Sequence, residues 1–281
     1  MRFIAPRLAF LSTLCVLFAP RIGHAQAVDP NKEPPTEAVA SSTEFLHLIN
    51  LETPATLLKR KTLYGIDVRP FGSSENSTYV QLEGMYGLTD RLTVLARGGG
   101  SMRRYFQNGL LQVPHGGQEV EIGLRYGLPS TGNYKLGVQG SVLYDNTLRD
   151  NQFLFAAQGM ASRSFFNDKL VAFLSPRVFL ADRSFGTFGV GITYQISNDF
   201  ALIADGQLSI FGDNSVRVSN GSGVQQEIYG VGFRYSPPSV LNGKASLDFG
   251  VTNGLGRTSG FSASPGLSGS AAIYVNFGYK L

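Results

Sequence analysis

Ten charged residues share one unusual setting: Arg69, Glu83, Arg97, Glu119, Glu121, Arg125, Arg177, Asp205, Arg234 and Asp248. Each lies in a run where apolar residues take nearly every second place, and each falls on the face the apolar residues leave free. Guanidinium and carboxylate groups held on one inward face have two chemical uses. They can pair across the wall and brace it, or they can line a path along which a solute exchanges its water for protein charge. In either case they need a partner or water, because an unpaired buried ion is costly. Asp67, Lys135 and Lys244 fall on the same face and extend the set.

Catalytic chemistry has little to build on. Beyond the first 27 residues the histidines are His47 and His115, and His115 stands between Pro114 and Gly116 with no acid beside it. General acid–base work requires partners within hydrogen-bond reach. The one cysteine, Cys15, lies in the apolar start of the chain, so neither a disulfide nor a cysteine-containing metal site is expected. Gly98-Gly99-Gly100 and Gly189-Val190-Gly191 open no helix, which removes the phosphate-loop reading and leaves strand curvature or close backbone approach. No catalytic residue, cofactor or metal is expected.

The elements that would carry these charges are strands. Val120, Ile122, Leu124, Tyr126 and Leu128 alternate with Glu119, Glu121, Gly123, Arg125 and Gly127; after the turn Pro129–Asn133 the pattern resumes through Tyr144. A period of two over about ten residues means one apolar and one polar face. It recurs from Leu57 to the end, predicting about twelve strands, with a bulge at Pro176. Connections alternate between short (Thr89–Arg91, Pro129–Asn133, Asn167–Lys169, Ser197–Asp199) and mostly longer (Met102–Gly117, Gly212–Gln225, Gly254–Gly269). A membrane barrel with short periplasmic turns and long outer loops produces this asymmetry. Tyrosine and phenylalanine cluster beside the short turns, as an interfacial girdle would. The fold class expected is all-β, a transmembrane antiparallel up-and-down β-barrel over 57–281.

Residues 1–27 read as a signal peptide: Arg2 and Arg7, then an apolar run too short to span a membrane. Without Arg2, Arg7 and Arg21 the 24 basic residues become 21 against 20 acidic ones, so the basic isoelectric point implies no nucleic-acid partner. Residues 28–56 read as a periplasmic linker in which Ser41-x-x-Glu44 and Phe45, Leu48 and Ile49 permit a short helix. Within it Ser41–Pro54, with Phe45, Leu46, Leu48, Ile49 and Leu51, is too apolar for a free tail, and it is expected to dock at the periplasmic mouth and partly obstruct the lumen.

The final strand, with Ile273, Val275, Phe277, Tyr279 and Leu281, resembles the C-terminal signal of bacterial outer-membrane proteins. The resemblance implies insertion by the barrel assembly machinery into outer-membrane lipid. Ile49–Leu57 and Tyr86–Leu92 are similar to the opening and first turn of putative transporter barrels grouped with phenol-degradation-pathway outer-membrane proteins. That resemblance implies passage of a small molecule and names none. Two readings stand: a channel or passive transporter with a narrow charge-lined lumen, or a structural or surface-adhesion barrel with an occluded one.

Overall fold

The structure, a computed structural model, describes residues 46–71, 77–103, 105–107, 110–112, 115–130, 132–145, 152–181, 184–214, 225–265 and 271–281. The segment read as a signal peptide and the first part of the linker lie outside them.

Among the described residues the regular secondary structure is almost entirely strand. The elements are β1 Thr62–Pro70, β2 Ser77–Thr89, β3 Leu92–Arg103, β4 Tyr105–Gln107, β5 Leu110–Gln112, β6 His115–Gly127, β7 Tyr134–Asp145, β8 Gln152–Phe165, β9 Leu170–Leu180, β10 Phe185–Gln195, β11 Phe200–Phe211, β12 Ile228–Tyr235, β13 Ala245–Thr252 and β14 Ala272–Lys280. Twelve of them form a closed ring, while β4 and β5 pair only with each other. Every neighbour in the ring is antiparallel, and β1 closes on β14 from Leu63↔Lys280 to Val68↔Val275. Closure leaves no edge strand with unpaired backbone groups, the condition for crossing hydrocarbon with sheet.

The alternation read from the sequence sorts the side chains as expected. Ile122 is 62% exposed, Leu82 61% and Phe153 66%, whereas their chain neighbours Glu121, Glu83 and Leu154 are buried. The apolar side chains on the outside of the ring have no second protein layer over them. Only lipid can cover a belt of that kind, so the ring is an outer-membrane barrel.

Two local expectations fail. The connection placed at Met102–Gly117 is largely strand: β3 runs on to Arg103 and β6 begins at His115, with β4 and β5 between them. Pro176 makes no bulge. Its pairing with Phe188 of β10 is regular, and the ladder to β8 lapses opposite it, then resumes in the same register. Gly159 stands across from the ring, and a Cβ placed there would lie 3.5 Å from Pro176 Cγ. A glycine partner thus accommodates a residue that cannot donate to the ladder.

A charge on the lipid face should carry a penalty that depends on depth. Ile122→Arg, mid-strand, is expected to cost ~2–4 kcal/mol, and Leu128→Arg, beyond the end of β6 at the membrane edge, ~0–1 kcal/mol. Urea titrations of refolding into lipid vesicles measure both; equal penalties would refute the assigned depth.

Candidate functional site

All ten charges picked out by spacing point into the ring, and none is more than 7% exposed. The register explains their first partners, since residues directly opposite on antiparallel strands lie within side-chain reach. Arg97 sits opposite Glu83 on β2 and Glu121 on β6. Its Nε donates to Glu83 at 2.6 Å. Arg234 sits opposite Asp248 and grips both carboxylate oxygens, each at 2.6 Å. Arg69 bonds Asp67, two places away on its own strand, at 2.7 Å. Arg125 and Arg177 face glutamines instead, donating to Gln139 and Gln158 at 3.0 Å each. Lys135 and Lys244 are exposed and do not join the cluster.

The wall does not complete this network. Residues 46–57 enter the lumen from the end bearing the short turns and double back on themselves. Leu48 N–H donates to Leu51 O at 2.7 Å, and His47 bridges Glu52 in antiparallel fashion. The described part of the expected helical stretch, 46–51, is therefore a tight hairpin turn. The cause is its side chains, which find better partners on the wall than a helix would offer them. Asn50 at the tip bonds Asp205 through its backbone N–H at 2.6 Å and its side-chain amide at 2.8 Å, and its Oδ1 accepts from Arg69 at 2.8 Å. Leu48, Ile49 and Leu51 pack on Phe173, Ile203 and Tyr274. A Cβ at Gly189 or Gly191 would collide with Leu51 or Leu48, so this glycine pair marks where the insert touches the wall.

Glu52 holds the middle of the insert. One carboxylate oxygen accepts from Arg97 and the other from Arg125. Arg125 Nη1 also donates to Leu46 O at 2.8 Å and Ala55 O at 3.2 Å. At the mouth, Leu57 N–H donates to Thr93 Oγ1 at 2.9 Å and Lys59 N–H to Asp90 Oδ1 at 2.9 Å.

A second insert descends from the opposite end. Residues 253–265, read from the sequence as part of an outer loop, fold into the lumen around one helical turn, α1 (Ser259–Ser262). Ser259 gives its N–H and hydroxyl to the two oxygens of Glu121, at 2.8 and 2.6 Å, and Gly260 N–H reaches Glu119 at 3.0 Å. Arg177 donates to Ser259 O at 2.9 Å and Ser262 Oγ at 2.6 Å. Phe261 meets Tyr79 edge to face at 5.6 Å. The signals missed in the sequence are Leu255, Arg257 and Phe261, too apolar or too strongly charged for an otherwise glycine- and serine-rich surface loop.

The inserts touch each other. Arg257 donates to Leu48 O at 2.8 Å, and its guanidinium lies against both ring nitrogens of His47. Gln207 ties them together from the wall, bonding Asn50 O at 3.0 Å and Ser262 O at 2.8 Å. Burial and then Arg257 press the His47 pKa down to about 4, against the opposing pull of Glu83. Burial alone would raise Glu52, but Arg97 and Arg125 outweigh it and bring the carboxyl to about 2.

No protein-family model and no curated protein matches the chain. Solved structures do. The KdgM porin aligns with a TM-score of 0.52 at 10% identity, over 78% of this chain and 98% of that one. The KdgM porin in complex with disordered oligogalacturonate gives 0.51 over the same shares, also at 10% identity. The NanC porin gives 0.50 at 10% identity, over 79% and 99%. At this identity the likeness is one of fold: an outer-membrane barrel with the architecture of channel porins.

Asn50→Ala should strip partners from buried Asp205 and Arg69 at a cost of about 1–3 kcal/mol each. Hydrogen exchange should then quicken at the amides of 48–53 before the barrel melts; unchanged protection would refute the anchoring role. Acid should loosen the same segment. A released His47 takes up its proton near the ordinary 6.5 and a docked one only near 4, so docking is strongest above pH 6.5 and weakens as the pH falls from 6.5 towards 4. Glu52, lowered when docked, adds to the loss only below about 4.5. Exchange rates followed against pH should rise across the upper window, and His47→Gln should flatten that rise.

Proposed function

We propose that the protein is an outer-membrane channel or passive transporter for small solutes, held closed by two inserts that can leave the lumen. The observation that carries this reading is what fills the bore. Wall side chains fill eight-stranded barrels. Here the space is occupied by two stretches of chain, 46–57 ahead of β1 and 253–265 after β13. The ten inward charges then line the path, taking water and solute as partners once the inserts have left. The likeness in fold to the two porins supports the reading, as do the residues that resemble transporter barrels grouped with phenol-degradation-pathway proteins. The protein acts as a conduit rather than an enzyme. Its C-terminal strand, with Leu281 at its end, serves recognition by the barrel assembly machinery.

The alternative is a structural or surface-adhesion barrel, occluded for good. What favours it is the near-complete pairing of polar groups between wall and inserts. Planar-bilayer recordings separate the two. Removal of residues 28–56, alone and together with replacement of 255–264 by a short glycine–serine link, should give conductance larger and noisier than the parent's. Serine at Arg97, Arg125 and Arg234 should raise conductance and shift selectivity towards cations. A folded double variant that passes no current would establish the occluded reading.

A further inference from the structure

Glu52 differs from the other acids in the lumen because it is the one carboxylate, among the described residues of the cluster, carried by an insert rather than by the wall. Arg69 has Asp67, Arg234 has Asp248 and Arg97 has Glu83, all wall residues that would stay in place if residues 46–57 withdrew. Arg125 has no such reserve. Its Nε meets the neutral amide of Gln139, and every acceptor shown for its two terminal nitrogens belongs to the insert: Glu52, Leu46 O and Ala55 O. Arg97 beside it would lose the other Glu52 oxygen, and its Nη2 already has no acceptor although the residue is 3% exposed. Withdrawal therefore exposes two guanidiniums aimed at one point, with the spacing that holds the two oxygens of a single carboxylate. Leaving Arg125 without a carboxylate in a narrow lumen is expensive. Glu83 and Glu121 stand close by, Glu121 at 3.7 Å from Arg97, so a second negative charge on the incoming group would be repelled.

We propose that Arg125 and Arg97 form a binding site for a small monocarboxylate, which Glu52 occupies as an internal substitute, so that the solute and the insert compete. The proposal rests on the channel reading and adds to it a ligand class and an opening signal. A carboxylate that takes the place of Glu52 binds only the barrel with the insert displaced. It therefore shifts the population towards that state by its difference in affinity for the two.

Propionate, the side-chain fragment of glutamate, is the probe, and propionamide is its neutral match. In a Cys15→Ser background, Thr53→Cys places a thiol beside Glu52 at a position only 1% exposed. The rate at which a maleimide labels it in proteoliposomes reports withdrawal of the insert. Saturating propionate should speed labelling about fivefold or more, and propionamide should not. Arg125→Gln should abolish the response to propionate, with folding checked by heat-modifiable mobility. Should that variant not fold, Glu52→Gln decides: it should label rapidly without any propionate. Equal effects of propionate and propionamide, or slow labelling of a folded Glu52→Gln variant, overturn the proposal. Recordings on the same preparations keep the two readings apart. Conduction by the deletion variants without a labelling response would leave the channel standing and remove the site. A propionate-dependent labelling response in barrels that never conduct would do the reverse.

Discussion

Twelve strands enclose a bore wider than inward side chains can fill and narrower than the aqueous channel of a sixteen-stranded porin. Space of that size must be either wet or furnished, and this protein furnishes it with its own backbone. The choice shapes the wall. Where the inserts approach, the strands carry glycine, as at Gly189, Gly191 and Gly230, since any side chain there would strike Leu51, Leu48 or Ile49. Elsewhere the wall meets them with apolar patches such as Leu143, Leu154, Phe179 and Phe185, which pack on Ala263 of the second insert.

Filling the bore with chain also removes the water that would otherwise serve its charges. Each guanidinium needs a full set of acceptors, and the wall alone provides only part of one. The inserts add to it largely through backbone carbonyls: Ile49, Gly254, Leu46, Ala55 and Ser259 all accept from arginines. Arginine suits this role better than lysine because its planar fork can serve wall and insert at once. Arg69 does so, holding Asp67 through Nε and the insert through both terminal nitrogens. The charges thus hold the inserts to the wall.

The barrel was legible because the period-two signal is repeated in every strand and because lipid demands it on one face. The inward position of the ten charges followed from the same parity. Their partners did not. That Arg125 would meet Glu52, seventy-three positions away, depends on where a non-strand segment ends up, and no periodicity records that. Leu95, Phe173 and Ile203 were equally obscure: they are apolar at inward positions, a break in the alternation that makes sense only once something apolar lies inside. The expectation that 41–54 partly obstructs the lumen rests on Phe45, Leu46, Leu48, Ile49 and Leu51 having nowhere dry to go. For the described residues, from Leu46 onward, the chain goes deeper than a plug at the mouth, and it does so as a turn. The helical spacing of Leu48 with Phe45 was a weak local preference, and the wall's acceptors and glycines prevailed over it.

The two inserts occupy particular places in the chain. Residues 46–57 lead into β1, and 253–265 lie just ahead of β14. These are the two strands whose pairing, Leu63↔Lys280 through Val68↔Val275, completes the circle. Both fillers therefore hang from the seam, one at each end of it. A ring not yet zipped along that line presents them at its open edge, where they can be laid in sideways. Neither has to be threaded through a finished tube, and the last step of assembly becomes the one that locks the interior.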